Sequence, residues 1–310
     1  MNNIICIAGP TASGKTALAV ELAKEFHGEV ISCDSMQVYR RMDIGTAKPT
    51  REEMQGIPHH MIDICDPEED FSVSKYCEMA TPIVDDILAR GKTAIIAGGT
   101  GLYMDSLIKG NDFAPFPATG HRERLEEILK KKGLEVLVKE LAGIDPEALE
   151  RSQNNPRRII RALEVYYETG ETITSHNLKT QAVPPRYDPI FLGLDFASRA
   201  ELYRRIDLRV GLMLEQGLVE EIRGLLRSGI PAGCTAMQAI GYKEFVAALE
   251  GRGSIEEAAD QVRQSSRRYA KRQLTWFRRN PKMRWLIRQE DQSSEEILEQ
   301  ARQLLRETDK

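Results

Sequence analysis

The chain has 310 residues, 41% of them hydrophobic and 29% charged, with a net charge of −4. That is the composition of an ordinary soluble globular protein, and no apolar run approaches the ~20 residues that cross a bilayer. Five scattered cysteines, Cys6, Cys33, Cys65, Cys77 and Cys234, form no CxxC pair, which argues against a disulfide framework or zinc site and for buried thiols.

The N-terminus, MNNIICIAGP, runs into a strand without the basic start or cleavage site of a signal peptide, so a cytoplasmic protein is expected. Strand-type runs recur at 4–8, 29–32, 60–64 and 93–97, with helical patterns between them; Leu18, Leu22 and Phe26 follow the first at helical spacing. Further runs at 189–194 and 283–287 read as additional strands of the same sheet. Strands alternating with helices predict an α/β fold, a mainly parallel sheet flanked by helices. The stretch 115–187 differs. Proline-rich breaks bound it, APFPATG and VPPRYDP, and its patterns at 122–143 and 155–170 are helical. The expected organisation is a core of 1–114 and 188–310 with an all-helical insertion at 115–187.

The first strand leads into GPTASGKT, residues Gly9, Pro10, Thr11, Ala12, Ser13, Gly14, Lys15 and Thr16, and an amphipathic helix follows. Strand, G-x-x-x-x-G-K-[ST] and helix together define a P-loop. Its backbone N–H groups and the helix N-terminus cradle phosphates, Lys15 adds a cation, and Thr16 offers a hydroxyl to Mg²⁺. The commonest such protein is an ATP-dependent kinase or ATPase, with a carboxylate ending a second buried strand. Here the run TAIIAGGTGLY ends in Gly98-Gly99-Thr100, and the carboxylate at a strand end is Asp34. His59 and His60, near Asp63 and Asp66, are expected to be structural, because no third metal ligand has suitable spacing.

Charge is segregated. Residues 260–288 carry ten Lys or Arg and one acid, a net +9, which leaves −13 for the rest. At 100° per residue, Arg267, Arg268, Lys271, Arg272, Arg278 and Arg279 share one side of a helix, with Ala270, Gln273, Leu274 and Phe277 opposite. Such a face suits nucleic-acid phosphates. Trp276, at its border, is expected to pack.

GPTASGKT (9–16), DSMQVYRRMDIGTAKP (34–49) and IIAGGTGLY (95–103) together resemble the tRNA dimethylallyltransferase family. HHMIDICDPEEDFSV (59–73), NNPRRIIRALEV (154–165), QAIGYKE (238–244) and RRYAKRQLTWFRR (267–279) extend the resemblance, in family order, over most of the chain. It implies a P-loop NTPase-like core and transfer of a dimethylallyl group from its diphosphate to the exocyclic amine of the adenosine at tRNA position 37, with Mg²⁺. Asp34 is implied as the general base. Lys15 and the loop would hold the pyrophosphate, Thr11 would bond it or position the amine, and an arginine of LYRRIDLRVGLM (202–213), Arg209 in preference to Arg205, would bind it as well. Contacts to tRNA are implied for Asp34, Ser35, Met36, Gln37 and Thr100, for Arg122, Arg157, Arg158, Ile159, Ile160 and Arg161, for Gln238, Gly241, Tyr242 and Lys243, and for Lys271, Arg272 and Arg278. Gln37 would read the adenine edge. The alternatives are a small-molecule kinase using ATP and an adenine-specific RNA-binding regulator with a relic loop. The basic segment disfavours the first, and the intact Lys15, Thr16 and Asp34 disfavour the second. A monomer is expected, since one two-domain chain can grip one tRNA.

Overall fold

The structure is a computed structural model, and it describes residues 3–110 and 119–307, with the backbone alone at 180–182. Six strands form one parallel sheet: β1 (Ile4–Ala8), β2 (Glu29–Cys33), β3 (His59–His60), β4 (Ala94–Gly98), β5 (Ile190–Phe196) and β6 (Met283–Arg288). Their order is β3-β2-β4-β1-β5-β6, and every pairing is parallel. β1 and β2 are buried at every residue, as continuous apolar strands covered on both faces should be. On one face Leu18 and Leu22 of the Lys15–Glu25 helix pack with Ile297 and Leu298 of the Ser294–Arg306 helix over Ile5, Ile7 and Ile95. On the other, Tyr76 of the Val73–Ala89 helix stacks on Tyr103 and donates to the Ser32 carbonyl (3.1 Å).

Register places the site. Ala8 and Cys33 both lie beside Gly98. The chain therefore leaves β1, β2 and β4 at one level, and the P-loop, Asp34 and Thr100 emerge side by side at the carboxyl edge, where open α/β sheets bind ligands.

The strand expected at 60–64 is a correction. β3 has two residues, because the chain turns into left-handed conformations at Met61 (φ 62°) and Asp63 (φ 55°). The segment beyond pairs instead with the loop after β2, Cys65 bridging to Tyr39. His60 binds Glu29 (2.8 Å), and His59 Nδ1 lies 2.8 Å from the Ile57 carbonyl. Among the described residues no cluster could hold a metal by three His, Cys, Asp or Glu side chains.

Glu29 itself is a buried carboxylate at the opposite edge of the sheet, bonded by Arg90, Lys92 and His60. The Arg90 hydrogen bond, helped by Lys92 and His60, outweighs burial and holds it well below the ordinary carboxylate range. A depressed folded value stabilises the fold above pH about 4.5 and loses that contribution as pH falls. Glu29→Gln should therefore cost about 1–3 kcal/mol at pH 7, the low side of a broken buried pair because Arg90 and Lys92 are part-exposed. The cost should shrink below pH 4.5; urea unfolding at pH 7 and pH 3.5 measures both, and an equal cost at both would refute the account.

The chain divides into two compact units, Met1–Gly110 with Arg186–Lys310, and Asn111–Pro185. The expected boundary at 114–115 lies outside the described residues. The second unit consists of helices His121–Lys132, Leu134–Ile144, Pro146–Ser152, Pro156–Thr169 and Ile173–Ala182. The pattern at 122–143 breaks at Gly133, whose φ of 80° ends one helix and begins the next. Leu125, Leu137, Leu141, Ile159, Ile160 and Leu163 form its core. In the first unit a second core joins Val38, Tyr39 and Met42, from the loop after β2, to Val210, Ile222, Tyr242, Phe245 and Val262.

Candidate active site

The P-loop packs against β5 so closely that a Cβ on Gly9 would lie 2.8 Å from the Leu194 carbonyl. Gly14, at φ 91°, caps the Lys15–Glu25 helix without any side-chain cap, and no acid lies in the first turn. The helix N-terminus is left for an anion. Ser13 Oγ is buried and has no hydrogen-bond partner among the described residues. Lys15 Nζ donates to the Pro10 carbonyl (2.7 Å). Arg209 Nη1 donates to Thr11 Oγ1 (3.2 Å).

Two cations beside one cradle repel each other. Burial, then the Arg209 charge, brings Lys15 down to about 7, against the opposing pull of Asp34. Burial also lowers Arg209, with Glu53 and Asp34 opposing. An anion bound between them reverses this balance. Below pH about 7 Lys15 is already protonated; above it, binding must draw in a proton. Titration calorimetry of inorganic diphosphate at pH 8, in buffers of different ionisation enthalpy, should show uptake approaching one proton per site beyond the diphosphate's own. Lys15→Met should abolish it, and identical uptake in the variant would refute the assignment.

The two arginines both reach the loop but differ in their partners. Arg209 lines the cavity beside the loop. Arg205 bonds the Ala12 carbonyl (3.3 Å), rests over the Phe196 ring and lies near Glu201.

Asp34 Oδ1 accepts from the Met36 amide (2.9 Å), and the Ser35 amide donates to Thr100 Oγ1 (3.1 Å). Gln273 ties the P-loop to the end of β4: its Oε1 accepts from the Thr11 amide (3.0 Å) and its Nε2 donates to the Gly99 carbonyl (2.9 Å). A Cβ on Gly99 would lie 2.1 Å from that Nε2, so only glycine admits the clamp. The sequence places Gln273 on the packing face of its helix, yet nothing in it signals this function beyond an amide among apolar neighbours. Tyr269, one turn earlier, also lines the cavity, and burial followed by the Asp34 charge raises its hydroxyl to about 12. It too was not predicted. The cavity holds about 560 Å³ and is lined by the P-loop, Asp34, Gln37, Arg209, Gln238, Gly241, Lys243 and Arg272, with Ile206, Val210 and Met213 as an apolar wall. That size suits a small-molecule ligand.

Several expected contacts are corrected. Ile159 and Ile160 are buried in the helical unit; exposing either to RNA would forfeit about 1.5–3 kcal/mol of burial. Tyr242 is fully buried, and its hydroxyl donates to Glu221 (2.6 Å). The Gln37 amide nitrogen is engaged by the Thr46 (3.3 Å) and Ala47 (3.1 Å) carbonyls, and its oxygen accepts from Ser32 Oγ (2.9 Å). These bonds shape its own loop, and Gln37 also lines the cavity. Met36 is half-buried against the second core.

The cationic face of the Ile255–Phe277 helix is also partly neutralised from outside the helix. Arg267 pairs with Asp207, and Arg278 with the buried Asp195 (2.8 Å). Arg268, Lys271, Arg272 and Arg279 remain exposed. Trp276 packs, donating to Asp105 (2.9 Å). In the helical unit Arg157 is exposed, Arg158 bonds the Arg151 carbonyl (3.3 Å), Arg161 pairs with Glu164 (2.8 Å), and Arg122 with Glu126 (3.2 Å).

The family model described as IPP transferase matches residues 37–280. The chain is 48% identical to the tRNA dimethylallyltransferase of Thermoanaerobacter sp. (strain X514), over 95% of this chain and 94% of that one. It is 47% identical to that of Acetivibrio thermocellus, over 96% of each. Its structure is similar to that of a full-length tRNA isopentenylpyrophosphate transferase from Bacillus halodurans, with a TM-score of 0.74, 42% identity, and coverage of 100% of this chain and 99% of that one. It also resembles a eukaryotic dimethylallyltransferase described as acting on tRNA, at TM-score 0.78 and 31% identity, over 93% of this chain and 74% of the other.

Proposed function

The chain belongs to the IPP transferase family, and from that premise we propose that it transfers a dimethylallyl group from dimethylallyl diphosphate to the exocyclic amine of adenosine 37 in tRNA. It is an enzyme of tRNA isopentenylation rather than a kinase. The observation that carries the reading is one cavity containing a phosphate cradle, Asp34 and an apolar wall together. A metabolite kinase needs the cradle but has no evident use for the exposed cations of the Ile255–Phe277 helix.

The chemistry follows from the arrangement. The adenine amine attacks the first carbon of the dimethylallyl group. The carbon–oxygen bond to diphosphate breaks, and its electron pair leaves on oxygen. The amine's proton passes to Asp34. The uncapped helix N-terminus, Ser13, Lys15 and Arg209 stabilise the charge that builds on the leaving diphosphate. Mg²⁺ would be held by the Thr16 hydroxyl, and when bound it would supply further positive charge beside the diphosphate. Ile206, Val210 and Met213 provide a dry wall for the five-carbon tail.

An adenine in a stacked anticodon loop must flip out to reach Asp34, at a cost of roughly a few kcal/mol. Thr100 and Tyr269 flank Asp34 and are placed to receive it. Lys271, Arg272 and Arg268 meet the phosphates of the anticodon stem, with Arg122, Arg157, Arg158 and Arg161 as further contacts. A monomer suits the reading, since one chain with two compact units can grip one tRNA. No helix among the described residues is long and apolar enough to cross a membrane, and the reading places the enzyme with its tRNA in the cytoplasm.

The test is transfer of labelled dimethylallyl from its diphosphate to unmodified tRNA with adenosines at positions 36 and 37, with and without Mg²⁺. Label on the position-37 adenine, only with Mg²⁺, is the expected result. No transfer, alongside turnover of ATP on a small molecule, would overturn the reading.

A further inference from the structure

Residues 34–49 carry Asp34, Ser35, Met36 and Gln37, yet contain only turns and one isolated bridge. Something outside the segment must hold it. Glu221, on the Leu218–Arg227 helix, does so with one carboxylate. Its Oε2 accepts from the amides of Asp43 (2.9 Å) and Ile44 (2.8 Å), and its Oε1 from the Gly45 amide (3.3 Å) and the Tyr242 hydroxyl (2.6 Å). Three successive amides converging on one anion form a nest, filled here by the protein's own side chain. The buried Tyr242 ring closes it from behind, and a Cβ on Gly45 would lie 2.4 Å from that ring.

The next two residues complete the link. The Thr46 and Ala47 carbonyls accept from the Gln37 amide, and Gln37 Oε1 accepts from Ser32 on β2. Hydrogen bonds, joined by the backbone between Gly45 and Thr46, therefore connect Glu221 to the turn that presents Asp34. A carboxylate is the group the nest requires: a carboxamide would turn an N–H toward an amide or hydroxyl donor and leave part-buried donors unpaired.

We propose that Glu221, backed by Tyr242, is a positioning residue for the transfer reaction, holding the Asp34 loop in its reactive shape without touching either substrate. This rests on the reading above, in which Asp34 takes the proton. It also gives Tyr242 a role that its burial allows.

The experiment compares wild type and Glu221→Gln, as full chains, by amide exchange over 38–48 and by single-turnover transfer at saturating tRNA and dimethylallyl diphosphate. Expected for the variant are exchange at 43–45 at least ~10-fold faster and transfer roughly 10–100-fold slower. Affinity for inorganic diphosphate should stay within about twofold, because the P-loop is held by Gln273 and β5 instead. Tyr242→Phe removes one of the four donors and should lose roughly threefold in rate; it decides the matter by the same readouts if Glu221→Gln fails to fold. Glu221→Gln combined with Gln37→Ala should be little slower than the slower single variant, because both act on one loop. Faster exchange with an unchanged rate, or a slower rate with amides still protected, would overturn the proposal. So would a parallel loss of rate and diphosphate affinity, the mark of general damage. If wild type transfers nothing to tRNA, the functional reading fails first, a result distinct from any of these.

Discussion

Replacing Asp34 by asparagine should lower the single-turnover rate of dimethylallyl transfer by roughly 10²–10⁴-fold, the usual contribution of a positioned general base. The geometry explains why the loss should be clean. Asp34 follows β2 directly, and the pairing of Cys33 with Gly98 sets where the chain emerges. Oδ1 accepts from the Met36 amide, whereas Oδ2 has no hydrogen bond among the described residues and can take a proton. Asparagine keeps the Oδ1 bond and the loop's shape but cannot serve as a base. Asp34 also opposes the positive charge of Lys15 and Arg209. Its neutralisation should leave affinity for diphosphate equal or higher, so rate and donor binding move in opposite directions. Rapid-quench transfer and diphosphate titration measure the two. A rate within about threefold of wild type would remove Asp34 from the role of base.

Lys15→Met should cost roughly 10²–10³-fold in rate, comparable to removing one strong donor from a site of developing charge. On the proposed mechanism the lysine sits where negative charge grows on the leaving diphosphate, and its burial would make that charge–charge interaction stronger than it would be in water. Arg209→Ala should cost a similar amount, and the double variant less than the product of the two, because the residues would share one anion and each feels the other's charge. Both should raise KM for dimethylallyl diphosphate while leaving Kd for tRNA unchanged. Arginine at position 15 should not rescue, since a planar fork cannot replace a compact ammonium reaching the Pro10 carbonyl. Wild-type rates for Lys15→Met would separate the loop from the chemistry.

How much of this was visible beforehand depended on the range of the interaction. The P-loop is a local motif: its glycines, lysine and following helix lie within a few residues, and the structure places them as their spacing implies. The runs at 4–8, 29–32 and 93–97, continuous and apolar with turn signals at their ends, are legible for the same reason and match the observed strands to within one residue. Asp34 was legible as a carboxylate at the end of such a run. The 60–64 run misled because its composition is strand-like, while its actual partner is the loop at Tyr39 rather than a long strand. Ile159 and Ile160, adjacent to arginines in one motif, were assigned to RNA with them; their helix turns them inward, and burial of apolar side chains decides that.

The sequence by itself determined the parallel α/β core, the phosphate cradle, the strand-end carboxylate, the segregated basic helix and the family. Each is a matter of neighbours along the chain, read through backbone geometry and side-chain period. Only the tertiary structure decided that Arg209 bonds Thr11 and lines the cavity while Arg205 bonds the Ala12 carbonyl, that Gln273 fastens Thr11 to Gly99 across 262 and 174 residues of sequence, that Asp195 and Asp207 neutralise part of the basic face, and that Glu221 and Tyr242 support the loop of Asp34. These are hydrogen bonds and ion pairs between residues far apart in the chain. Their energies depend on distance and burial, quantities that exist only once the sheet and helices have packed.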